Sequence, residues 1–294
     1  MDHPELPWNA AALRQRLEAS WPGIAVEIVG STGSTNSDLL ARARSGAGGL
    51  PCLRVAELQT AGRGRQGRTW HAERGASLTF SLAVPLAQPL LSGLSLAVGA
   101  VLADAIDPRR PPGGAIAGGL PAPPFESPAP TTMRIGLKWP NDLLVVDSPG
   151  RGRKFGGILI ETLAFGATRL VVVGIGLNLR ALAAARDSPS GLAGLDELDP
   201  AVEAPALLER LAGPLGAALR RFDEAGFAPF HPAFAARDLL AGRAVTTTQR
   251  GATEGVADGI GADGSLRLRT PDGKVVAVSA GEVSVRLALA AQPC

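Results

Sequence analysis

The chain has 294 residues, 46% of them hydrophobic, enough to bury a core in one large domain or in a large domain plus a small one. Its 29 basic and 27 acidic side chains leave a formal charge of +2, without the strong basic bias of a dedicated nucleic-acid binder. Two cysteines make neither a disulfide framework nor a metal site, no run of about 18 apolar residues could cross a membrane, and no secretory signal opens the chain, so a cytoplasmic location is expected.

Ala10–Ser20 reads as a helix, with Asn9 as its N-cap and Leu13 and Leu17 on one face. Ile24–Val29 reads as a strand. A Ser/Thr/Gly turn then leads into a helix from about Ser37, capped by Thr35 or Asn36. Cys52–Leu58 and Ala76–Val84 read as strands flanking an arginine-rich loop, with Cys52 a small buried apolar residue. In the second strand Leu78, Phe80, Leu82 and Val84 alternate with Thr79, Ser81 and Ala83, the period of a half-buried strand. Leu90–Ile106 predicts a buried helix. Residues 108–132 hold eight prolines and four glycines, which predicts a disordered insertion, with a proline-rich docking peptide as the alternative.

Strands are expected at Ile135–Trp139, Leu143–Val146, Phe155–Leu163 and Arg169–Leu179, and helices at Pro205–Phe222 and about Phe230–Leu240. The texture then changes to short β-rich runs: Ala244–Thr248, Glu254–Ile260, Ser265–Arg269, Lys274–Val278 and Val283–Arg286. Asp263-Gly264 and Asp272-Gly273 are hairpin signals among them. The expected class is α+β: a mixed β-sheet with flanking helices over residues 1–238, then a small β-barrel over 239–290.

The segments that carry chemistry lie between these elements. Gln59-Thr-Ala-Gly-Arg-Gly-Arg-Gln-Gly-Arg-Thr-Trp70 sets Arg63, Arg65 and Arg68 among glycines that allow close backbone approach. Arginine supplies permanently charged donors for phosphate or carboxylate. A mobile loop over an anionic ligand fits this pattern, and so does a segment that binds RNA without sequence preference. Ser34-Thr35-Asn36 offers small donors and acceptors matched to a neutral urea or amide, or simply a helix cap. In Lys138-Trp139-Pro140-Asn141-Asp142 the proline forces a turn, which displays groups suited to phosphate and hydrated Mg²⁺ or merely closes with Asx hydrogen bonds. Lys154 precedes Gly156-Gly157 inside a strand, where glycine marks close approach of a ligand or backbone. Gly174 and Gly176 lack the third glycine and following helix of a dinucleotide fingerprint.

Taken together and in order, these segments, with Gly174-Ile175-Gly176-Leu177-Asn178, resemble the biotin protein ligase family over about residues 30–180. The resemblance implies a catalytic domain of the class II aminoacyl-tRNA synthetase-like type, and that the β module from about Leu240 is an SH3-like domain. It also implies ATP-dependent activation of biotin as biotinyl-5′-AMP, with Mg²⁺. Transfer to a lysine of a biotin carboxyl carrier domain of acetyl-CoA carboxylase or a related carboxylase would follow. Ser34, Thr35, Asn36, Gln59, Arg63, Gly64, Arg65, Lys154, Gly156 and Gly157 would contact biotin. Arg65, Arg68, Trp70, Lys138, Asn141, Asp142, Lys154 and Asn178 would serve ATP, with Trp70 against adenine and Asp142 near Mg²⁺. Lys154, Arg65, Arg68 and Lys138 would carry the catalysis. Only about 30 residues precede Ser34, too few for the winged-helix domain of bifunctional members, so DNA binding is not expected; neither is a membrane, and a homodimer stays open. Lipoate protein ligase is the nearest enzyme alternative, and a nucleic-acid-binding protein the alternative from another class.

Overall fold

A computed structural model describes residues 6–108, 133–148, 151–165, 168–182, 191–248, 254–279 and 285–287. The proline-rich insertion, apart from Pro108, lies outside the described residues. The main sheet has seven strands: β1 (Ala25–Val29), β2 (Cys52–Ala56), β3 (Ser77–Leu86), β4 (Arg134–Lys138), β5 (Asp142–Ser148), β6 (Arg151–Phe165) and β7 (Thr168–Asn178). Their order is β1-β2-β3-β7-β6-β5-β4, and only β1–β2 is parallel. The sheet is mixed, as expected.

Helix α1 (Ala10–Glu18) is capped by Asn9, whose side chain accepts from Ala12 N at 2.9 Å. Helix α2 (Thr35–Ser45) covers one face of the sheet, where Leu39 and Leu40 pack on Cys52, Ala83, Leu170 and Val172. Helices α3 (Leu94–Ile106) and α4 (Ala204–Ala225) cover the other face, against Leu78, Phe80, Leu82 and Val84. Strand β3 is therefore buried on both faces except at Pro85. Its alternation separates an apolar core side from a side bearing Thr79 and Ser81, not core from water. Burial also pushes the Cys52 thiol up to about 11.

The helix expected at Phe230–Leu240 is shorter. Helix α5 (His231–Ala235) stops there because Arg237–Leu239 runs beside the edge strand β4. Leu137 N donates to Arg237 O (2.8 Å) and Leu239 N to Leu137 O (2.9 Å), which satisfies backbone groups an edge strand leaves open. The buried Arg237 guanidinium holds this crossing through Asp104 (3.0 Å) and the carbonyls of Ile135 (3.0 Å) and Asp107 (2.5 Å).

A second sheet follows: β8 (Ala244–Thr247), β9 (Glu254–Ile260), β10 (Leu266–Arg269), β11 (Val275–Val278) and β12 (Val285–Leu287), all antiparallel in the order β11-β10-β9-β8-β12. Both Asp-Gly hairpins are present, with Gly264 and Gly273 at φ 80° and 84°. The end strands β11 and β12 do not pair with each other among the described residues. Trp139 Nε1 donates to Gly264 O (3.1 Å), and His231 Nε2 lies 2.7 Å from Ile260 O, so the turn before Asn141 rests directly on this sheet. Among the described residues no helix is long and apolar enough to cross a membrane.

Candidate active site

Three neighbouring strands present small side chains on the α2 side of the sheet. Ser77, Thr79 and Ser81 of β3 face Asn178, Gly176 and Gly174 of β7, and Gly157 and Leu159 of β6 face Gly176 and Gly174. At about 3.4 Å per residue, the stretch from Gly174 to Asn178 is roughly 13 Å long. The glycines make room for what lies above them. A Cβ on Gly174 would stand 2.3 Å from Asn36 Oδ1, and one on Gly176 2.3 Å from Trp70 Cε2.

One end of this trough is polar. Ser34, not Thr35 or Asn36, caps α2, its hydroxyl 3.5 Å from Ser37 N. Thr35 and Asn36 are thereby released for other partners. Thr35 N donates to Gln59 Oε1 (2.8 Å), and the Thr35 hydroxyl lies 2.6 Å from Ser81 Oγ and 3.1 Å from Gln59 Oε1. Asn36 accepts from Ser81 Oγ (2.5 Å) and donates to Glu161 Oε2 (2.9 Å). Ser81 and Glu161 are absent from the sequence-based site. A buried serine facing away from the apolar side of β3 is the only local sign of the first.

The arginine loop is a short hairpin over the middle of the trough. Trp70 N donates to Gly62 O (2.9 Å), Gly64 N to Arg68 O (2.7 Å), and Arg63 bridges Thr69. Arg65–Gly67 forms the turn, with Gln66 at φ 57° and Gly67 at φ 71°. Gly62 is required by its neighbour, since a Cβ there would lie 2.5 Å from Trp70 O. The stem is clasped by buried Glu57, which pairs with Arg74 and accepts from Leu6 N (2.8 Å) and Trp8 Nε1 (3.0 Å). Of the three arginines, Arg65 turns inward, Nη1 3.3 Å from Asn141 Oδ1. Burial works against its charge and lowers its pKa, Asp142 opposes that shift, and Arg68 adds to it. Arg63 and Arg68 are exposed, Arg63 lying 3.8 Å from Glu161 and Arg68 donating to Gln66 Oε1 (3.0 Å).

Beside the hairpin, the β5–β6 register shifts between Leu143 and Leu144, so that Gly156 faces Leu143 and Lys154 faces Leu144. This bulge re-aims the chain. Lys154 Nζ meets Asp142 Oδ1 at 2.6 Å and lies 5.6 Å from the centre of the Trp70 ring. Gly191 and Ala193 clamp the Lys154 backbone from the other side (3.2 and 3.0 Å). Asn141 closes its turn on Ile158, accepting at 3.0 Å and donating at 2.9 Å, and Lys138 pairs in register with Asp142.

Most of the residues expected to act together are therefore together. Ser34, Thr35, Asn36 and Gln59 form the polar end, Trp70 lies across Gly157 and Gly176, and Lys154, Asp142, Asn141 and Arg65 line one side. Gly156 is turned the other way: a Cβ there would stand 2.7 Å from Leu177 Cδ2 in the core, so its size answers to packing. In the trough, Trp70 Nε1 and Asn178 Oδ1 are buried with no hydrogen-bond partner among the described residues. Such atoms in a built cleft point to a ligand or water that completes them. Among the described residues no three His, Cys, Asp or Glu side chains gather to hold a metal. Mg²⁺ can be held by one or two carboxylates plus substrate phosphates, so Asp142 fits the ion only with nucleotide oxygens completing the shell.

This arrangement has relatives. The biotin/lipoate A/B protein ligase family model matches residues 31–178, and the model of the biotin protein ligase C terminal domain matches 241–286. A biotin--[acetyl-CoA-carboxylase] ligase of Mycobacterium tuberculosis is 34% identical over 283 residues, 94% of this chain and 95% of its own. The bifunctional ligase/repressor BirA of Escherichia coli is 33% identical over 273 residues, 90% of this chain and 75% of that protein. Among solved structures, the biotin protein ligase of Aquifex aeolicus in complex with biotin and ATP superposes with a TM-score of 0.68 at 24% identity, covering 90% of this chain and 99% of that one. The chain belongs to the biotin/lipoate A/B protein ligase family, on its biotin protein ligase branch.

Proposed function

We propose that the chain activates biotin with ATP as biotinyl-5′-AMP and transfers the biotinyl group to a lysine of a carboxylase carrier domain. The observation that carries this reading is the Lys154–Asp142 pair. It stands at the side of a trough with a neutral polar pocket at one end and, at the other, Asn178, whose Oδ1 has no partner among the described residues. A neutral head group joined to a carboxylate suits that layout, with the head among Ser34, Thr35 and Gln59 and the carboxylate at Lys154.

In the first step a biotin carboxylate oxygen attacks the α-phosphorus of ATP, the bond to the β-phosphate oxygen breaks, and pyrophosphate leaves. Both reactants are anions, so fixed cations must offset their repulsion and the charge growing on the leaving group. Lys154 exchanges Asp142 for the biotin carboxylate, and then holds the adenylate phosphate. Arg65 faces that phosphate from the hairpin, Lys138 and Arg68 serve the triphosphate, and Asp142 with Asn141 is left for the nucleotide and its Mg²⁺. In the second step the carrier lysine attacks the acyl carbon, AMP leaves, and the amine loses a proton as the amide forms. The mixed anhydride must be kept from water in between, which is the task of the hairpin with Trp70 at its end.

Gly174→Ala is a test of the pocket. The added Cβ collides with Asn36 Oδ1, which Ser81 and Glu161 hold on both sides. The KM for biotin is expected to rise by roughly 10–100-fold, the cost of one displaced buried hydrogen-bonded group. An unchanged KM removes the pocket from this end of the trough. The function itself is tested by incubating the full chain with ATP, biotin and a carboxylase carrier domain. A lysine of that domain gains the biotinyl group if the reading is right; an unmodified carrier alongside a labelled positive control overturns it.

A further inference from the structure

Hydrogen bonds in the polar pocket run in one direction, and that direction has a cause. Asn36 Nδ2 faces Glu161 Oε2 (2.9 Å) and Leu159 O (3.5 Å), both of which can only accept. The amide therefore cannot flip, and its oxygen is held toward Ser81 Oγ at 2.5 Å. The one Ser81 proton is committed to that oxygen. Across the 2.6 Å to Thr35, the threonine hydroxyl must then be the donor. Its single proton is spent there, so Gln59 Oε1 is held by Thr35 N (2.8 Å) rather than by the hydroxyl at 3.1 Å. Beside the Ser34 hydroxyl, this run of bonds leaves two groups for a ligand: Thr35 Oγ1 as an acceptor, and Gln59 Nε2 as a donor without a partner among the described residues.

We infer that Ser81 and Glu161 are positioning residues that fix this polarity, and that they make the pocket specific for a head group carrying a carbonyl beside an N–H. A cyclic urea presents that pair, its oxygen to Gln59 Nε2 and its N–H to Thr35 Oγ1. A dithiolane ring, the head of lipoate, offers neither. The inference rests on the biotin reading and adds the reason for its selectivity. This run of bonds is also built to hold: Ser81, Thr35 and Asn36 are all buried, and the Asn36 amide fills the space that a Cβ on Gly174 would take. Glu161 does a second thing, because its other oxygen is 3.8 Å from the exposed Arg63 of the hairpin. That contact is solvated and contributes little. It is the acceptor function of Glu161, not its charge, that sets the pocket.

The test measures biotin-dependent ATP–pyrophosphate exchange by the full chain at varied biotin. Ser81→Ala and Glu161→Leu are expected to raise the KM for biotin by roughly 10–100-fold, with kcat at saturation within about threefold of wild type. Glu161→Gln keeps an oxygen to accept from Asn36, so its KM stays within about threefold. A merely structural role moves stability without this split and without rescue by glutamine. Should Glu161→Leu fail to fold, Ser81→Ala carries the same measurement. An unchanged KM in Ser81→Ala, or a Glu161→Gln as impaired as Glu161→Leu, overturns the inference. Absence of exchange in the wild type would instead overturn the ligase reading beneath it.

Discussion

Replacing Lys154 by alanine is expected to lower biotin-dependent ATP–pyrophosphate exchange by roughly 10²–10³-fold, the usual cost of one preorganised electrostatic group aimed at developing charge. Lys154 is 2.6 Å from Asp142 and lies against the Trp70 ring, in the side wall that the hairpin covers. Its loss takes from Asp142 its ion-pair partner where two further anions must meet. Substrate binding and chemistry should both suffer, so kcat/KM falls further than either alone. The fold should survive, because the ammonium is partly exposed and no core packing depends on it. Comparable melting of the two proteins would confirm that. Normal exchange in the variant would remove Lys154 from the reaction.

Arg65→Ala should show a different defect. Arg65 is the arginine of the hairpin whose side chain turns inward, and it reaches Asn141 at 3.3 Å. Burial already opposes its charge, so an anion arriving there offsets a cost the folded protein carries. Removing it is expected to speed release of biotinyl-5′-AMP roughly 10–100-fold, as for the loss of a charged hydrogen bond, with a smaller effect on its formation. The measurement is the rate at which free adenylate appears in the absence of carrier protein. An unchanged release rate would separate Arg65 from adenylate retention. Arg63 and Arg68, both exposed in this structure, should give smaller effects in the same assay.

Much of this site is legible in the linear sequence. The order Ser-Thr-Asn, arginine–glycine loop, Lys-Trp-Pro-Asn-Asp, Lys154 with its glycines, and Asn178 locates the trough before any strand is placed. What sequence could not give depends on partners distant along the chain. Ser, Thr and Asn are all good caps, and the choice of Ser34 follows from Gln59, Ser81 and Glu161 claiming the other two. Gly156 and Gly157 look equivalent, yet the β5–β6 bulge and the two-residue period put one in the core and the other under Trp70. The Phe230–Leu240 run reads as a helix, but the open edge of β4 takes its last residues as a strand-like neighbour. Glu57 gives no local sign of its role, since its partners Leu6, Trp8 and Arg74 flank it at separations of 51, 49 and 17 residues.

The floor of the trough divides into three stretches. Ser81 and Gly174 lie under the polar pocket, Gly176 and Gly157 under Trp70, and Ser77 and Asn178 at the far end. In the proposed reading a neutral head takes the first of these environments and an apolar middle the second, the anionic end turns to Lys154 beside Trp70, and the far end is left for the nucleotide. Lipoate shares the anionic end but not the head.

The most direct test is exchange of labelled pyrophosphate into ATP by the purified chain, with biotin or lipoate as the only added acid. Exchange that requires biotin and is absent with lipoate is the predicted result. Exchange with lipoate alone, or with neither acid, would contradict the account.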